Sequence, residues 1–261
     1  LAERDADACN TLRANYPPEL VMECDVRDLN FSAFAGVDLV AGGPPCQPFS
    51  LGGKAKGYRD ERDMFPVAIR ALGELAPKAF LFENVKGLLR PAFSDYFRYL
   101  LHRLAHPLSN VRFGESPPKT VPGELRYDVK FRLLNAADYG VPQKRERIIF
   151  TGIRSDLAGE RDFPLPTHSE AALRRAKYVT GEYWRKHGLP APGTPAGSAE
   201  LFSCEIQPWV TVRDALADLP EPAPGLHSER QYRPGAKAYP GHTGSDWDEP
   251  AKALKAGDHG V

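Results

Sequence analysis

The first part of the chain alternates between short apolar runs and segments with helical periodicity. The runs are residues 37–41 and 79–82, and the helical stripes are residues 64–76 and 94–105. A short apolar run bounded by turn residues is typical of a buried parallel strand, and a stripe every three to four residues is typical of a helix. The order strand, helix, strand, helix predicts a parallel α/β sheet with right-handed crossovers.

The pattern changes in the second part of the chain. Residues 129–133 alternate between apolar and charged side chains, and residues 147–153 form another apolar run. Two strands this close, with no helix between them, predict an antiparallel hairpin at the sheet edge. Beyond about residue 155 proline and glycine become dense and the periodicity fades, which predicts an irregular, loop-built region. We therefore expect one domain over residues 1–155 and a second region over residues 156–261.

Charge and cysteine content narrow the class of protein. Lysine plus arginine and aspartate plus glutamate both number 34 among 261 residues, so bulk charge does not favour general binding to polyanions. A local basic groove stays possible. The 4 cysteines form no CxxC pair, which predicts neither a zinc knuckle nor a disulfide framework, and no metal site is expected. The cysteine content therefore predicts a reduced, cytoplasmic protein. No apolar run reaches membrane-spanning length, so no membrane partner is expected.

Chemically reactive side chains follow both predicted strands. Cys46 lies in the sequence GGPPCQPFS after the first strand, and Glu83 and Asn84 follow the second. Parallel strands joined by one crossover end at the same edge of the sheet, so we expect the thiol and the carboxylate to meet there. Position in the sequence alone leaves two interpretations for Cys46 and two for Glu83. Cys46 is a packed residue or a nucleophile, and Glu83 caps the next helix or has a proton affinity tuned for catalysis.

A third polar segment, QKRER, lies at residues 143–147 between the last two predicted strands. By spacing alone, a charged hairpin loop is the simpler interpretation. In an extended segment, however, Gln143, Arg145 and Arg147 share one face and form a fork of donors suited to phosphate or to a base carbonyl.

The sequences GGPPCQPFS, FENV and QKRERI, in this order and spacing, closely resemble those of the bacterial DNA (cytosine-5)-methyltransferase family. The resemblance covers nearly all of residues 1–155. It extends to Glu3-Arg4-Asp5 and to Asp25-Val26, which are similar to segments of the family that bind the cofactor. Residues 211–220 and 247–261 resemble stretches in the variable half of bacterial members.

The resemblance implies a Rossmann-like, S-adenosylmethionine-dependent methyltransferase sheet, followed by an irregular target-recognition region. The implied reaction transfers a methyl group from S-adenosyl-L-methionine to carbon 5 of a flipped-out cytosine in a specific sequence of double-stranded DNA. Carbon 5 is a weak nucleophile, so a thiolate, here Cys46, first adds to carbon 6. A monomer, and a role beside a cognate restriction endonuclease, are also implied.

The same resemblance assigns roles to single residues. Glu83 would hydrogen-bond the base at N3 and its exocyclic amine, Asn84 would position the loop, and Arg145 with Arg147 would contact the base O2 and adjoining backbone. The other implied substrate-binding residues are Gln47, Ser50 and Gln143.

For the cofactor, Glu3 would bind the ribose hydroxyls and Asp25 the adenine amine. Arg4 stands where the family often has an aromatic residue that stacks on adenine. The remaining residues expected to line the cofactor are Val26, Gly43 and Pro45.

Two features of the family are missing from the chain: the glycine-rich loop after the first strand, and the last conserved segments. We therefore expect a sheet that is incomplete at its first strand, in a truncated chain that alone binds S-adenosylmethionine poorly and is inactive.

Three alternatives stay open. An RNA cytosine-5 methyltransferase would share the cysteine loop but carry a shorter insert after the second motif. A non-catalytic DNA-binding remnant would keep the fold without turnover. A thiol hydrolase would need a histidine partner, and the histidines lie away from the predicted strand ends.

Overall fold

A computed structural model describes residues 1–45, 63–116, 124–157, 159, 162–193, 206–219 and 244–253. Three predicted site residues, Cys46, Gln47 and Ser50, lie outside the described residues. In the described ranges, no helix is both long enough and apolar enough to cross a membrane.

The secondary structure of these ranges consists of strands and helices that alternate in the first part of the chain. The strands are β1 (Ala2–Glu3), β2 (Met22–Glu23), β3 (Leu39–Gly42), β4 (Ala79–Val85), β5 (Tyr127–Asn135), β6 (Gln143–Lys144), β7 (Glu146–Arg154), β8 (His168–Ser169), β9 (Gln207–Pro208) and β10 (Ala251–Lys252). The α-helices are α1 (Ala6–Asn15), α2 (Phe65–Leu75), α3 (Ser94–Ala105), α4 (Glu170–Tyr178), α5 (Glu182–Lys186) and α6 (Val212–Leu216).

The central sheet has the strand order β3-β4-β7-β5. Strands β3 and β4 are parallel and in register from Leu39 opposite Ala79 to Gly42 opposite Phe82, with α2 in the crossover between them. The end of β7 is bonded to the starts of its two neighbours, by Arg154 N to Lys78 O at 2.9 Å and by Ser155 N to Arg126 O at 2.8 Å. This is the arrangement of antiparallel neighbours. The predicted α/β sheet, with its antiparallel hairpin, is confirmed. The expectation that the first strand is buried is wrong, because β3 lies at the end of the strand order and Leu39 is 56% exposed.

The chain divides into two compact units, Leu1–Leu133 with Ile148–Arg161, and Leu134–Arg147 with Asp162–Val261. The division falls inside β5 and β7, so the QKRER segment groups with the second unit. The assignment of residues 1–155 to a catalytic domain and of residues 156–261 to a target-recognition region stays a prediction.

The core of the first unit forms where α2 and α3 bury their apolar faces against β4 and β7. Its most deeply buried members are Phe65, Leu72, Phe80, Phe82, Leu88, Leu100, Leu104, Ile148 and Phe150. Gly152 on β7 lets the ring of Phe80 lie against the strand, because a Cβ at this position would be 2.0 Å from the ring atom Cε1.

The second unit has its own apolar core, formed by Ala137, Leu173, Ala176, Tyr183, Trp184 and Trp209. The prediction of an irregular, loop-built region beyond residue 155 is corrected for α4 and α5, which are ordinary helices. Ser169 caps α4 by accepting a hydrogen bond from Ala172 N at 3.1 Å. Both helices are short, and α4 buries its apolar side at only two hydrophobic positions, too few to produce a clear periodic pattern.

Candidate active site

The carboxyl ends of β3 and β4 meet, as their shared crossover predicts. A Cβ built on Gly43, just after β3, would be 3.4 Å from Oε2 of Glu83, so the carboxylate lies directly against this glycine. Beside it, Asn84 Nδ2 donates a hydrogen bond to the carbonyl oxygen of Pro44 at 3.0 Å. Glu83 and Asn84, predicted from the sequence to act together with the loop after β3, are thus both in contact with that loop.

The alternation of side chains along β4 explains this arrangement. Phe80, Phe82 and Asn84 are all buried and lie on one face of the strand, whereas Leu81 and Glu83 lie on the other. Asn84 is only 3% exposed, so its amide needs hydrogen-bond partners within the protein. It donates to Pro44 O, and its Oδ1 accepts from the backbone N–H of Val85 at 2.8 Å.

The backbone after Gly43 is also tied to the start of α2. Pro45 O accepts a hydrogen bond from Met64 N at 3.3 Å. Asp63 Oδ1 accepts from Phe65 N at 3.0 Å, and the hydroxyl of Tyr96 on α3 donates to the other oxygen of Asp63. The last described residue before Cys46 is therefore bound to a helix that is itself anchored to α3.

A second group of predicted residues lies at the ends of β1 and β2. These strands are parallel, with Glu3 opposite Glu23, so Glu3 and Asp25 lie at the same edge of the pair. The side chain of Glu3 turns back onto the chain, where Oε1 accepts from the backbone N–H groups of Arg4 and Asp5 at 2.7 and 2.8 Å.

Asp25 is held by arginines. Its carboxylate accepts hydrogen bonds from the guanidinium of Arg27 at 2.6 and 3.0 Å and from Arg27 N at 3.0 Å, and the guanidinium of Arg4 lies 3.5 Å away. The hydrogen bonds from Arg27, together with the attraction of both guanidinium groups, outweigh burial and hold the pKa of Asp25 well below its usual range. Asp25 is therefore a fixed negative charge at neutral pH.

Val26 begins a short 3-10 helix, Val26–Asp28, that is joined to α2. The guanidinium of Arg70 donates to the carbonyl oxygens of Val26 at 3.4 Å and Arg27 at 2.9 Å, and it also lies 4.8 Å from the ring centroid of Phe31. The segment after β2 is thus fixed to the same helix whose start is bound to Pro45. Within the described ranges, no group of three or more His, Cys, Asp or Glu side chains could hold a metal ion.

The QKRER segment of the second unit is extended on both sides of Arg145, as the interpretation based on alternation requires. Asn135 and its neighbour fix the backbone at this point. Asn135 Oδ1 accepts from Arg145 N at 3.1 Å, and Ala136 N donates to Arg145 O at 3.0 Å. Arg147 donates from its guanidinium to the carbonyl oxygen of Glu146 at 2.8 Å.

Sequence reasoning missed two residues that hold this segment, Asn135 and Glu249. Glu249 Oε2 accepts from Lys144 Nζ at 2.9 Å. A weak signal did exist for Glu249, because it lies in the WDEPAK stretch that resembles bacterial methyltransferases. That stretch is bonded to the other such stretch, TVRDAL, by Val212 N to Glu249 O at 3.0 Å and Arg213 N to Trp247 O at 2.8 Å.

A model of the C-5 cytosine-specific DNA methylase family matches residues 1–108 and 121–243. The chain belongs to this family. Over 231 residues it is 33% identical to the type II methyltransferase M.AquIA of Picosynechococcus sp., and the aligned region covers 85% of this chain and 79% of that protein. Over 170 residues it is 39% identical to the type II methyltransferase M.NgoMIV of Neisseria gonorrhoeae, covering 65% of this chain and 49% of that protein.

The fold is also similar to a solved structure. A candidate DNA modification methyltransferase encoded within an Escherichia coli prophage superimposes with a TM-score of 0.51 at 25% identity, over 84% of this chain and 48% of that one. Apart from M.AquIA, the chain thus spans about half the length of these relatives. The predicted family and the α/β methyltransferase fold are confirmed, and S-adenosyl-L-methionine is the methyl donor of this family.

Proposed function

We propose that this protein methylates carbon 5 of cytosine within a specific sequence of double-stranded DNA, with S-adenosyl-L-methionine as methyl donor and Cys46 as nucleophile. One observation carries the proposal. In a chain of the C-5 cytosine-specific family, Glu83 and Asn84 contact Gly43 and Pro44, immediately before the sequence PCQPFS. A carboxylate that can hold a base is thereby placed at the start of the loop that carries the thiol.

The described residues fit the cofactor. Glu3 and Asp25 end two adjacent parallel strands, where the hydroxyls and amine of a nucleoside would find acceptors. Gly43 has no side chain, which leaves backbone accessible beside Glu83. Glu3, Arg4, Asp25 and Val26 would hold the adenosine part, with Gly43 and Pro45 lining the methionine side. The bound cofactor supplies an electrophilic methyl group.

The proposed chemistry begins with the thiolate of Cys46, which bonds to carbon 6 of the target cytosine and pushes electrons from the 5,6 double bond towards carbon 5. Glu83, hydrogen-bonded to N3 and the amine, and Arg147 with Arg145 at O2, stabilise the charge that develops in the ring. Carbon 5 would then take the methyl group as the methyl–sulfur bond of the donor breaks, leaving S-adenosylhomocysteine. A base would remove the proton from carbon 5, and the carbon–sulfur bond to Cys46 would break to release the thiolate. Gln47, Ser50 and Gln143 would contact the substrate.

The target base must leave the duplex for this reaction, because a thiolate cannot approach the face of a stacked base.

Asn84 takes no part in the bond changes and acts by positioning the backbone. By donating a hydrogen bond to Pro44 O, it holds the backbone two residues before Cys46 and so helps to position the cysteine loop.

Two relatives are named type II methyltransferases, which supports a role beside a cognate restriction endonuclease. A monomer in the cytoplasm remains part of the proposal.

Bisulfite sequencing of DNA from cells that express the complete coding sequence tests this function. The expected result is a set of protected cytosines that share one sequence context. Cys46→Ala should abolish the protection, whereas the matched control Cys24→Ala, at a free cysteine of the described residues, should keep it. Protection that persists in Cys46→Ala would refute the nucleophile. Specific DNA binding without any protected cytosine would instead support a non-catalytic DNA-binding remnant.

A further inference from the structure

Glu249 joins two lysines that lie far from it in the sequence. Its Oε2 accepts a hydrogen bond from Lys144 Nζ at 2.9 Å, 105 residues away, and its Oε1 accepts from Lys177 Nζ at 2.8 Å, 72 residues away. Each oxygen of one carboxylate is thus used by a different cation. Lys144 belongs to the QKRER segment, so this contact reaches directly into a region to which the proposed chemistry assigns a role.

Lys177 is the fixed end of this arrangement. Its side chain is only 3% exposed, and its ammonium lies 5.3 Å from the ring centroid of Tyr183. The indole N–H of Trp184 donates to Lys177 O at 2.8 Å, which anchors the backbone of α4 as well. A buried ammonium is stable only beside a compensating charge, so Lys177 fixes the position of the Glu249 carboxylate.

Lys144 is the other end. Its ammonium lies between the carboxylate of Glu249 and the ring of Trp209, 5.2 Å from the ring centroid. The backbone is paired at the same place, since β10 lies parallel to β6 with Lys252 opposite Lys144, and Ala251 N donates to Pro142 O at 2.8 Å. An ion pair and a strand pair therefore hold the same stretch of chain.

The charge state of Glu249 agrees with this geometry. Burial alone would raise its pKa, but the hydrogen bonds from Lys177 and Lys144 outweigh burial and lower the pKa below the ordinary value of 4.5. The carboxylate is ionised at neutral pH and binds both lysines as charged partners.

We propose that Glu249 is a positioning residue: held by buried Lys177, it binds Lys144 and thereby fixes the segment that carries Gln143, Arg145 and Arg147. This inference rests on the proposed function, in which those side chains contact the flipped cytosine. The arginines lie one and three residues beyond Lys144, too near for the backbone at Lys144 to move without moving them. A positioning error of about 1 Å at a reacting group lowers a rate by roughly 10²-fold, so such a link affects turnover directly.

Lys144→Met is the variant that isolates the link. The side chain of Lys144 is 39% exposed, and its loss leaves the buried Lys177–Glu249 pair intact, so the protein should fold with a nearly unchanged melting temperature. Single-turnover methyl transfer should fall by roughly 10- to 100-fold. Cofactor affinity should stay the same, and Lys144→Arg, which keeps the charge, should restore most of the rate. The matched control is Lys186→Met, which removes an ion-paired, exposed lysine in the same unit and should leave the rate unchanged.

Hydrogen exchange supplies a readout that does not depend on activity. Backbone amides of residues 143–147 should exchange faster in Lys144→Met, and faster still in Glu249→Gln, than in the wild type. If Lys144→Met transfers methyl groups at the wild-type rate and hydrogen exchange over residues 143–147 is unchanged, the inference is overturned while the proposed function stands. A wild-type protein that methylates no cytosine would refute the proposed function itself, and with it the inference.

Discussion

Asn84 near the end of β4 donates a 3.0 Å hydrogen bond to the carbonyl oxygen of Pro44, two residues after the end of β3, across 40 residues of sequence. The amide is buried, and Pro44 stands two residues before Cys46. A single side chain thus connects the strand that carries Glu83 to the backbone that leads into the cysteine loop.

Replacement of Asn84 by alanine should lower both stability and activity. The half-buried Pro44 loses the donor to its carbonyl oxygen, and the loss of such a hydrogen bond costs about 0.5–1.5 kcal/mol in the free energy of unfolding. Urea denaturation measures this loss, and the rate of methyl transfer under conditions where the variant is folded measures the second effect. Asn10→Ala on the exposed side of α1 is the control, expected within about 0.5 kcal/mol of the wild type. Equal stability of Asn84→Ala and Asn10→Ala would contradict the role of this hydrogen bond.

Replacement of Asp25 by asparagine should weaken binding of S-adenosylmethionine. A hydrogen bond to a charged group contributes about 1.5–3 kcal/mol, so the dissociation constant should rise by roughly 10- to 100-fold. Titration calorimetry measures it. The control, Asp28→Asn, changes an exposed carboxylate in the short helix that Asp25 caps and should leave the affinity unchanged. If both variants bind the cofactor as the wild type does, the assignment of Asp25 to the cofactor site is wrong.

The strand ends that meet in this protein could be predicted because the rule involved is topological. Two apolar runs joined by one helix form neighbouring parallel strands, and Gly43 and Glu83 then follow at one edge without knowledge of any contact. Helices α2 and α3 and strands β3, β4, β5 and β7 could be predicted in the same way from their apolar patterns, whereas β1, α1 and β2 at the start of the first unit were not predicted.

Other features depend on contacts between distant residues and leave little trace in the sequence. Glu249 binds Lys144 and Lys177 across 105 and 72 residues, and each is an ordinary charged residue when considered locally. Gly152 is a glycine in an apolar strand, and only the packed ring of Phe80 explains why a side chain would not fit there. The roles of Cys46, Gln47 and Ser50 rest on the sequence and stay predictions.

Acid should remove a stabilising contribution from Asp214 in the second unit. Burial alone would raise its pKa, but hydrogen bonds from Lys186 and from Thr211 outweigh burial and lower the pKa from 3.8 to about 2. Because the pKa in the folded state is the lower one, the contribution is complete above the pKa of the unfolded chain, near pH 4, and is lost as the pH falls from about 4 to about 2.

The difference in unfolding free energy between the wild type and Asp214→Asn should therefore be constant above about pH 5 and shrink towards pH 2. Denaturation by urea over this pH range measures it. Asp218→Asn, at an exposed position in the same segment, should give a curve parallel to that of the wild type. The prediction would be contradicted if the difference in unfolding free energy between the wild type and Asp214→Asn grew as the pH was lowered.

The central claim, that Cys46 attacks cytosine, is tested most directly by covalent trapping. DNA that carries 5-fluorocytosine at the methylated position should form a stable adduct in the presence of S-adenosylmethionine, because fluorine at carbon 5 cannot leave as a proton does and the carbon–sulfur bond cannot break. Mass spectrometry of the digested complex should place the adduct on Cys46. An adduct on Cys9, Cys24 or Cys204, or the absence of any adduct with protein that methylates unmodified DNA, would contradict the account.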